Sequence, residues 1–350
     1  MRAGILAIAE SLPATIRDNT WWPAEVVATW SGPRGNPPSV DAFTPSMRAV
    51  LAKLREETDP FGGTKQRHVL GENERLLDHQ VLAARQAIAQ AGIDPGRIDL
   101  VLSSVSPTEY QLTNATCELH EALGLPRASL SLLTEGAQHS FLLQLTLAEA
   151  MILAGRATCA LLVQASAMSR ITDPTDQRSA IFGDGATAVI VGATTGDRGI
   201  LGQSHFTDGR LPNTLVASVR GKHWYDEGRP VLHIADGPGM LDILLRTVDC
   251  SAEGIEAALA QAKLQPDDVD AFVMHQGFPW MRELVQARAG LTRARSVETF
   301  TRTGHLFSAF VPSTMVAAQR AGVIADDQIV LAVGGGSGMT YGAAVMRWGA

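Results

Sequence analysis

AIAQAGIDPGRID at residues 87–99 and ALAQAKLQPDDVD at residues 258–270 are one passage written twice, 171 positions apart. Both copies share A, A-Q-A, P and D in register, and each reads as an Ala-rich helix, a proline turn and an apolar strand. A second pair lies close to the same spacing. TEGAQHSFLLQLTLAEAMILAG (residues 134–155) and TRTGHLFSAFVPSTMVAAQRAG (residues 301–322) are 167 apart, and each ends in Ala-Gly before an apolar strand. Weaker matches join Gly4-Ile5-Leu6 to Gly199-Ile200-Leu201 and residues 185–191 to 342–346. The repeats define two homologous halves, residues 1–195 and 196–350.

Within each half, strands alternate with helices of 12 to 18 residues, and the strands are continuous apolar runs such as 99–104 and 160–165. Such strands are buried on both faces, so the fold class is layered α/β. Residues 20–63 fit neither half. They hold Trp21, Trp22 and Trp30, a Pro- and Gly-rich run at 31–39 and a charged helix, and they read as an insertion near an entrance or an interface.

The chain has 350 residues, 29 basic and 36 acidic, for a net charge of −7, so no global field draws nucleic acid or an anionic membrane. No stretch reaches the roughly 18 apolar residues of a membrane helix, and no signal peptide is evident at the start. Three cysteines, an odd number in so long a chain, suit a reducing, cytoplasmic setting. Cys117, Cys159 and Cys250 all read as small buried packing residues, and the nine histidines show no metal-ligand spacing. Neither a metal nor a cofactor is expected.

The 167 offset lays Gln138 on His305, each opening an apolar helix after a Gly-containing turn. Helix amino termini carry unpaired N–H groups and about half a unit of positive charge, suited to a carbonyl oxygen that gains negative charge. The 171 offset sets His275, at the carboxyl end of an apolar strand, opposite Ser104; that end of a parallel sheet carries ligands. The run Val333-Gly334-Gly335-Gly336-Ser337-Gly338 leaves too little chain after it for a dinucleotide-binding unit. It reads either as a tight turn or as a source of oxyanion donors from Gly336 and Ser337. Asp184, in Phe182-Gly183-Asp184-Gly185, reads as the holder of its turn. Arg282, Arg288, Arg293 and Arg295 follow His275 and read as a basic dock for an acidic partner, or more blandly as a solvated face.

These motifs resemble the ketosynthase III (β-ketoacyl-acyl-carrier-protein synthase III) branch of the thiolase superfamily. The likeness runs from Lys65-Gln66-Arg67-His68 through Asp173-Pro174-Thr175-Asp176, Phe182-Gly183-Asp184-Gly185-Ala186 and His275-Gln276 to the glycines between 334 and 342. It implies a five-layer αβαβα duplication, usually a homodimer, acting on thioesters of acyl carrier protein or coenzyme A. It also implies a Cys-His-Asn catalytic set. Carried over residue by residue, the nucleophilic Cys falls at Gln138, the His at His275 and the Asn at His305.

An amide cannot form an acyl-enzyme. It can donate an N–H, and the Gln-His-His set is similar to that of loading ketosynthases that decarboxylate malonyl thioesters. The leading expectation is therefore a malonyl-thioester decarboxylase acting on acyl carrier protein. Two others stand beside it: a condensing enzyme or acyltransferase that uses His275 or Ser140 without Cys, and a silent partner in a heterodimer with a Cys-bearing ketosynthase. The family's adenine-binding Trp and Arg have no clear counterparts, since Glu57 and Phe61 stand near the first pair and Gln177 replaces the Arg, with Arg178 one place later. That favours a carrier-protein donor over coenzyme A.

Overall fold

The computed structural model describes residues 2–30 and 42–350, so the Pro- and Gly-rich run at 31–39 lies outside the described residues. Nine strands build two sheets: β1 (Arg2–Ser11), β2 (Leu100–Ser106), β3 (Leu130–Leu133), β4 (Cys159–Ala167) and β5 (Asp184–Thr194) in the first, and β6 (Gly199–Thr207), β7 (Ala271–Met274), β8 (Ile329–Gly336) and β9 (Thr340–Arg347) in the second. The principal helices are α1 (Pro45–Glu56), α2 (Leu76–Ala91), α3 (Thr116–Leu123), α4 (Ser140–Leu153), α5 (Gly237–Ala262), α6 (Met281–Arg288) and α7 (Phe310–Arg320).

The first sheet runs β1-β5-β4-β2-β3 and the second β6-β9-β8-β7, the same order with the same directions. The fifth strand has no full counterpart; where β3 pairs with β2, the second sheet keeps one parallel bridge between Ala271 and Arg295. Helices α4 and α7 fill the layer between the sheets, in a core that joins Phe141, Leu145 and Met315 to Leu102, Val189, Val273 and Val330. Outside the first sheet lie α2 and α3, and outside the second lie α5, α6 and α1. This is the five-layer αβαβα arrangement. The buried strand faces explain the unbroken apolar runs, because both sides of each central strand leave water.

The 171 offset survives in three dimensions. Helices α2 and α5 end at Ala91 and Ala262, each followed by a left-handed residue (Gly92, φ 63°; Lys263, φ 57°), a turn at Pro95–Arg97 or Pro266–Asp268, and the strand β2 or β7. The 167 offset holds only at the far end of the central helices, where Gly155 and Gly322 take left-handed φ of 66° and 65°. At the near end the register is 170: Ala137 and Phe307 are both left-handed at φ 50°, and α4 and α7 begin at Ser140 and Phe310. Helix α7 has 11 residues and α4 has 14, which accounts for the three-residue slip. The structural counterpart of Gln138 is therefore Ser308, and His305 stands three residues upstream of it.

The insertion packs at two places. Helix α1 covers α5 and α6 through Val50 and Leu51. Trp22 meets Trp21, Trp30 and Phe61 at ring separations of 4.9, 6.1 and 5.9 Å, with the buried Arg67 guanidinium 4.7 Å from the Trp22 ring. The indole N–H groups of Trp22 and Trp30 donate to Ser179 Oγ and the Thr175 carbonyl, so the cluster is fixed on the segment that carries Gln177 and Arg178. Among the described residues no helix is long and apolar enough to cross a membrane.

Candidate active site

Gln138 sits in the short 3-10 turn Ala137–His139 that leads into α4. The strand opposite makes room for that turn by having no side chains. A Cβ on Gly334 would stand 2.8 Å from the Gln138 carbonyl, and one on Gly336 would stand 2.5 Å from the Gly136 carbonyl and 3.0 Å from Ala137 Cβ. The glycines of β8 thus serve close approach between the halves, which is the reason for the run that sequence left open between turn and donor loop.

His275 follows Met274 at the carboxyl end of β7, where its backbone N–H donates to the Val333 carbonyl at 3.2 Å. His305 is held by the other half. Its N–H donates to the Ile181 carbonyl and its carbonyl accepts from the Gly183 N–H, while a Cβ on Gly183 would lie 2.1 Å from the Thr303 carbonyl. Asp184 in turn accepts from the backbone N–H groups of Leu70 and Ser169, both at 2.9 Å, and from the Ser169 hydroxyl. The Phe-Gly-Asp turn is therefore the latch for His305, a role that sequence reading gave only to Asp184 and only locally.

Gln138, His275, His305, Gly336 and Ser337 line one cavity of about 260 Å³. The rings of His275 and His305 are 6.4 Å apart at 75°. His305 Nδ1 accepts from the Phe307 N–H at 3.1 Å, which places its proton on Nε2, and Phe182 and Phe310 flank the ring at 5.3 and 5.2 Å. Burial holds His275 down to about 4 and His305 down to about 3, the latter also disfavoured by His275. Both imidazoles are neutral donors at physiological pH. Gln138 Oε1 and His275 Nδ1 are buried without a partner among the described residues, a concentration of unmet polar atoms typical of a place built for a ligand.

The remaining wall is mostly apolar: Ile181, Ile234, Met240, Ile243, Phe278 and Met281 among others. Met240, Ile243, Leu244, Thr247, Cys250 and Ser251 fall at helical spacing along one face of α5. Cys250 is thus a cavity residue in mid-helix rather than packing at a helix end, although burial and the Glu253 carboxylate push its thiol up to about 11. Cys117 is exposed, so only Cys159 matches the expected buried thiol. Ser140 is fully buried, accepts from the Ser104 hydroxyl at 3.0 Å, and is not part of the cavity wall. Gln177 and Arg178 also line the cavity; Gln177 donates to the Pro60 carbonyl at 2.7 Å, and Arg178 is paired with Asp176.

The four arginines expected to form a dock are largely occupied. Arg282 is partly buried and donates to Gln286 and Ser296, and Arg288 pairs with Asp249 and Glu256 at 3.3 and 3.2 Å. Arg295 donates to the carbonyls of Gly322 and Val323, and Arg293 to that of Asp267.

Residues 134–209 and 259–348 match the family models described as 3-oxoacyl-[acyl-carrier-protein (ACP)] synthase III and its C-terminal part. The chain is 32% identical over 304 residues to a β-ketoacyl-[acyl-carrier-protein] synthase III of Staphylococcus saprophyticus, covering 87% of this chain and 93% of that one. Its fold matches the crystal structure of 3-oxoacyl-(acyl carrier protein) synthase III from Pseudomonas aeruginosa with a TM-score of 0.79 at 23% identity, over 100% of this chain and 99% of the other. The priming β-ketosynthase from the R1128 polyketide biosynthetic pathway gives 0.79 at 24% identity, over 99% and 96%. With its layered duplication, its converging Gln138, His275 and His305 and its likeness to these relatives, the chain belongs to the 3-oxoacyl-[acyl-carrier-protein] synthase III family.

Proposed function

We propose that this protein decarboxylates a malonyl-type thioester carried by acyl carrier protein. The observation that carries the reading is the meeting of an amide, Gln138, with two neutral imidazoles, His275 and His305, in one apolar cavity. Gln138 stands where the family resemblance puts a nucleophilic Cys, and the one thiol of the cavity wall, Cys250, is held protonated.

In the reaction the thioester oxygen accepts N–H donation from the Gln138 amide and from His305 Nε2, with the backbone of Gly336 and Ser337 as further donors. The bond between the α-carbon and the carboxylate breaks, carbon dioxide leaves, and the electron pair passes into the enolate. One proton then adds to carbon to give an acetyl thioester. Each preorganised donor contributes about 3 kcal/mol to the enolate-like transition state. Apolar walls help by removing the carboxylate from water before it is lost.

The carrier docks where Gln177 and Arg178 line the cavity. The functional unit is a homodimer, supported by β3, which ends its sheet and exposes Leu130, Leu132 and Leu133. A Ser140 nucleophile finds no support, since that oxygen is buried, accepts from the Ser104 hydroxyl and lies off the cavity wall.

The test is mass spectrometry of malonyl-carrier protein incubated with the protein. The carrier should lose the mass of carbon dioxide, and Gln138→Ala and His305→Ala should each slow the loss about 10²- to 10³-fold. Wild-type rates in both variants would overturn the mechanism. No turnover until a second ketosynthase is added would favour the silent-partner reading.

A further inference from the structure

A second cavity, of about 370 Å³, shares no lining residue with the one that holds Gln138, His275 and His305. It is the other product of the duplication. Thr247 and Ser251 of α5 form part of the first wall; 171 positions earlier, Leu76 and Gln80 of α2 form part of the second. Phe278, past the carboxyl end of β7, likewise answers to Pro107, past the carboxyl end of β2. Gly336 ends β8 and Ala167 ends β4, each at the wall of its own cavity. The carboxyl ends of parallel strands thus open twice in one chain, once per half. That is the end at which α/β sheets hold ligands.

The two cavities differ in chemistry. No histidine lines the second, and the place of His275 falls to Ser104, which is fully buried, donates to Ser140 and lies off the wall. The floor is an apolar cluster of Leu70, Leu76, Val105 and Ala167, with Ala115 packed against it. One polar group in that lining is unmet: Gln80 is 4% exposed, and its Oε1 has no partner among the described residues. A buried amide oxygen calls for an N–H or an O–H.

The charges of the lining are already engaged. Arg75 donates to Glu109 and Glu118, both at 2.8 Å, which ties α2 to the segment after β2 and to α3. Arg170 donates to the carbonyls of Gly71 and Glu74 at 2.5 and 3.1 Å. Glu74 accepts from the Gly71 N–H at 2.9 Å and lies 2.7 Å from His79 Nε2. Three carboxylates (Glu74, Glu109, Glu118) against two guanidiniums (Arg75, Arg170) leave the lining one charge negative. An incoming anion therefore meets repulsion and no free cation.

We infer that this cavity is a second binding site, for a small aliphatic molecule that ends in an N–H or O–H donor and carries no negative charge, with Gln80 Oε1 receiving the donor. Its volume lies within the range of about 300–1,000 Å³ in which proteins hold small ligands. The site stands whatever reaction the other cavity performs.

The test is methyl NMR of the full chain titrated with hexan-1-ol, hexylammonium and hexanoate, which differ only in the head group. The alcohol, the ammonium or both should shift the methyl signals of Leu76 and Val105, and hexanoate should bind there at least about 10-fold more weakly. Whichever of the first two binds more tightly names the head. Gln80→Leu should weaken that binding about 2- to 10-fold, the worth of one hydrogen bond. Ala115→Phe, which fills the cavity, should abolish it. Met240 and Met281 report separately on the catalytic cavity. Shifts confined to those two methionines, hexanoate bound as tightly as the other probes, or Leu76 shifts that persist unweakened in either variant overturn the site. A probe taken up by a Leu132→Glu monomer and refused by the wild-type protein gives the cavity to a neighbouring copy and overturns it as well.

Discussion

Replacing Gly336 by Ala tests the idea that the empty side of β8 aims Gln138. Gly336 has no left-handed φ, so the added methyl brings steric rather than torsional strain. Its Cβ would stand 2.5 Å from the Gly136 carbonyl, whereas ordinary contact begins at 3.4 Å, leaving about 0.9 Å to be made up. Neither neighbour is a flexible side-chain end, because one is a carbonyl and the other is Ala137 Cβ at 3.0 Å. The turn must retreat, and Gln138 with it. Overpacking of this kind costs about 1–3 kcal/mol of stability, which a domain of this size survives. A displacement near 1 Å at a reacting centre costs about 10²-fold in rate. Decarboxylation by Gly336→Ala should therefore fall about 10²-fold while the thermal midpoint drops only by several degrees. Gly237→Ala is the control, since a methyl there meets nothing within 4 Å. A folded Gly336→Ala protein with the wild-type rate would refute the claim that close packing of β8 positions the amide.

Because His275 and His305 are held down to about 4 and about 3, activity should be level from neutral pH to about 5 and fall as pH approaches 4, read from a pH–rate profile. Stability has the same sign: the unfolded chain takes up protons on these histidines first, so unfolding becomes easier as pH falls from the ordinary histidine range toward 4, measurable by urea titration at several pH values. Gln138→Cys should become labelled by an acyl thioester, as intact protein mass will show, because the turn and both imidazoles remain in place. Leu132→Glu, on the outer strand β3, should convert a dimer into a monomer in sedimentation while leaving the far-ultraviolet circular dichroism unchanged.

The duplication was legible because a helix end, a proline turn and a strand start leave a signature that packing does not alter; Ala91 and Ala262 show it at an unchanged spacing. The alignment of Gln138 with His305 was less secure. It borrowed its register from Gly155 and Gly322 at the far ends of helices that differ by three residues, and a single sequence does not display helix length directly. The cavity residues found in advance were those on turns and strand ends. Those missed lie inside a regular element, since Cys250 and Thr247 face the cavity because of the rotation of α5; a contact missed in the same way joins His139, which is off the cavity wall, to His205 across the boundary between the halves, 66 positions away. Only tertiary packing brings such pairs together. The arginine run shows the opposite error, where a local excess of charge is absorbed by local acids and carbonyls.

The missing fifth strand of the second sheet bears on how copies of this molecule add to one another. Two equivalent open edges, one per half, would let each copy offer a site to the next, and such head-to-tail contacts extend into filaments when they do not close. Here β1 and β6 lie against each other where Gly4 meets Gly199, and the edge at β7 is occupied by the segment bearing Arg295. Among the described residues that leaves β3 as the open edge of the two main sheets, and a particle with one adhesive edge can join one neighbour and then has nothing left to offer. Shortening one copy of the duplication to a single bridge removes the second of two like edges by which a chain of copies could grow.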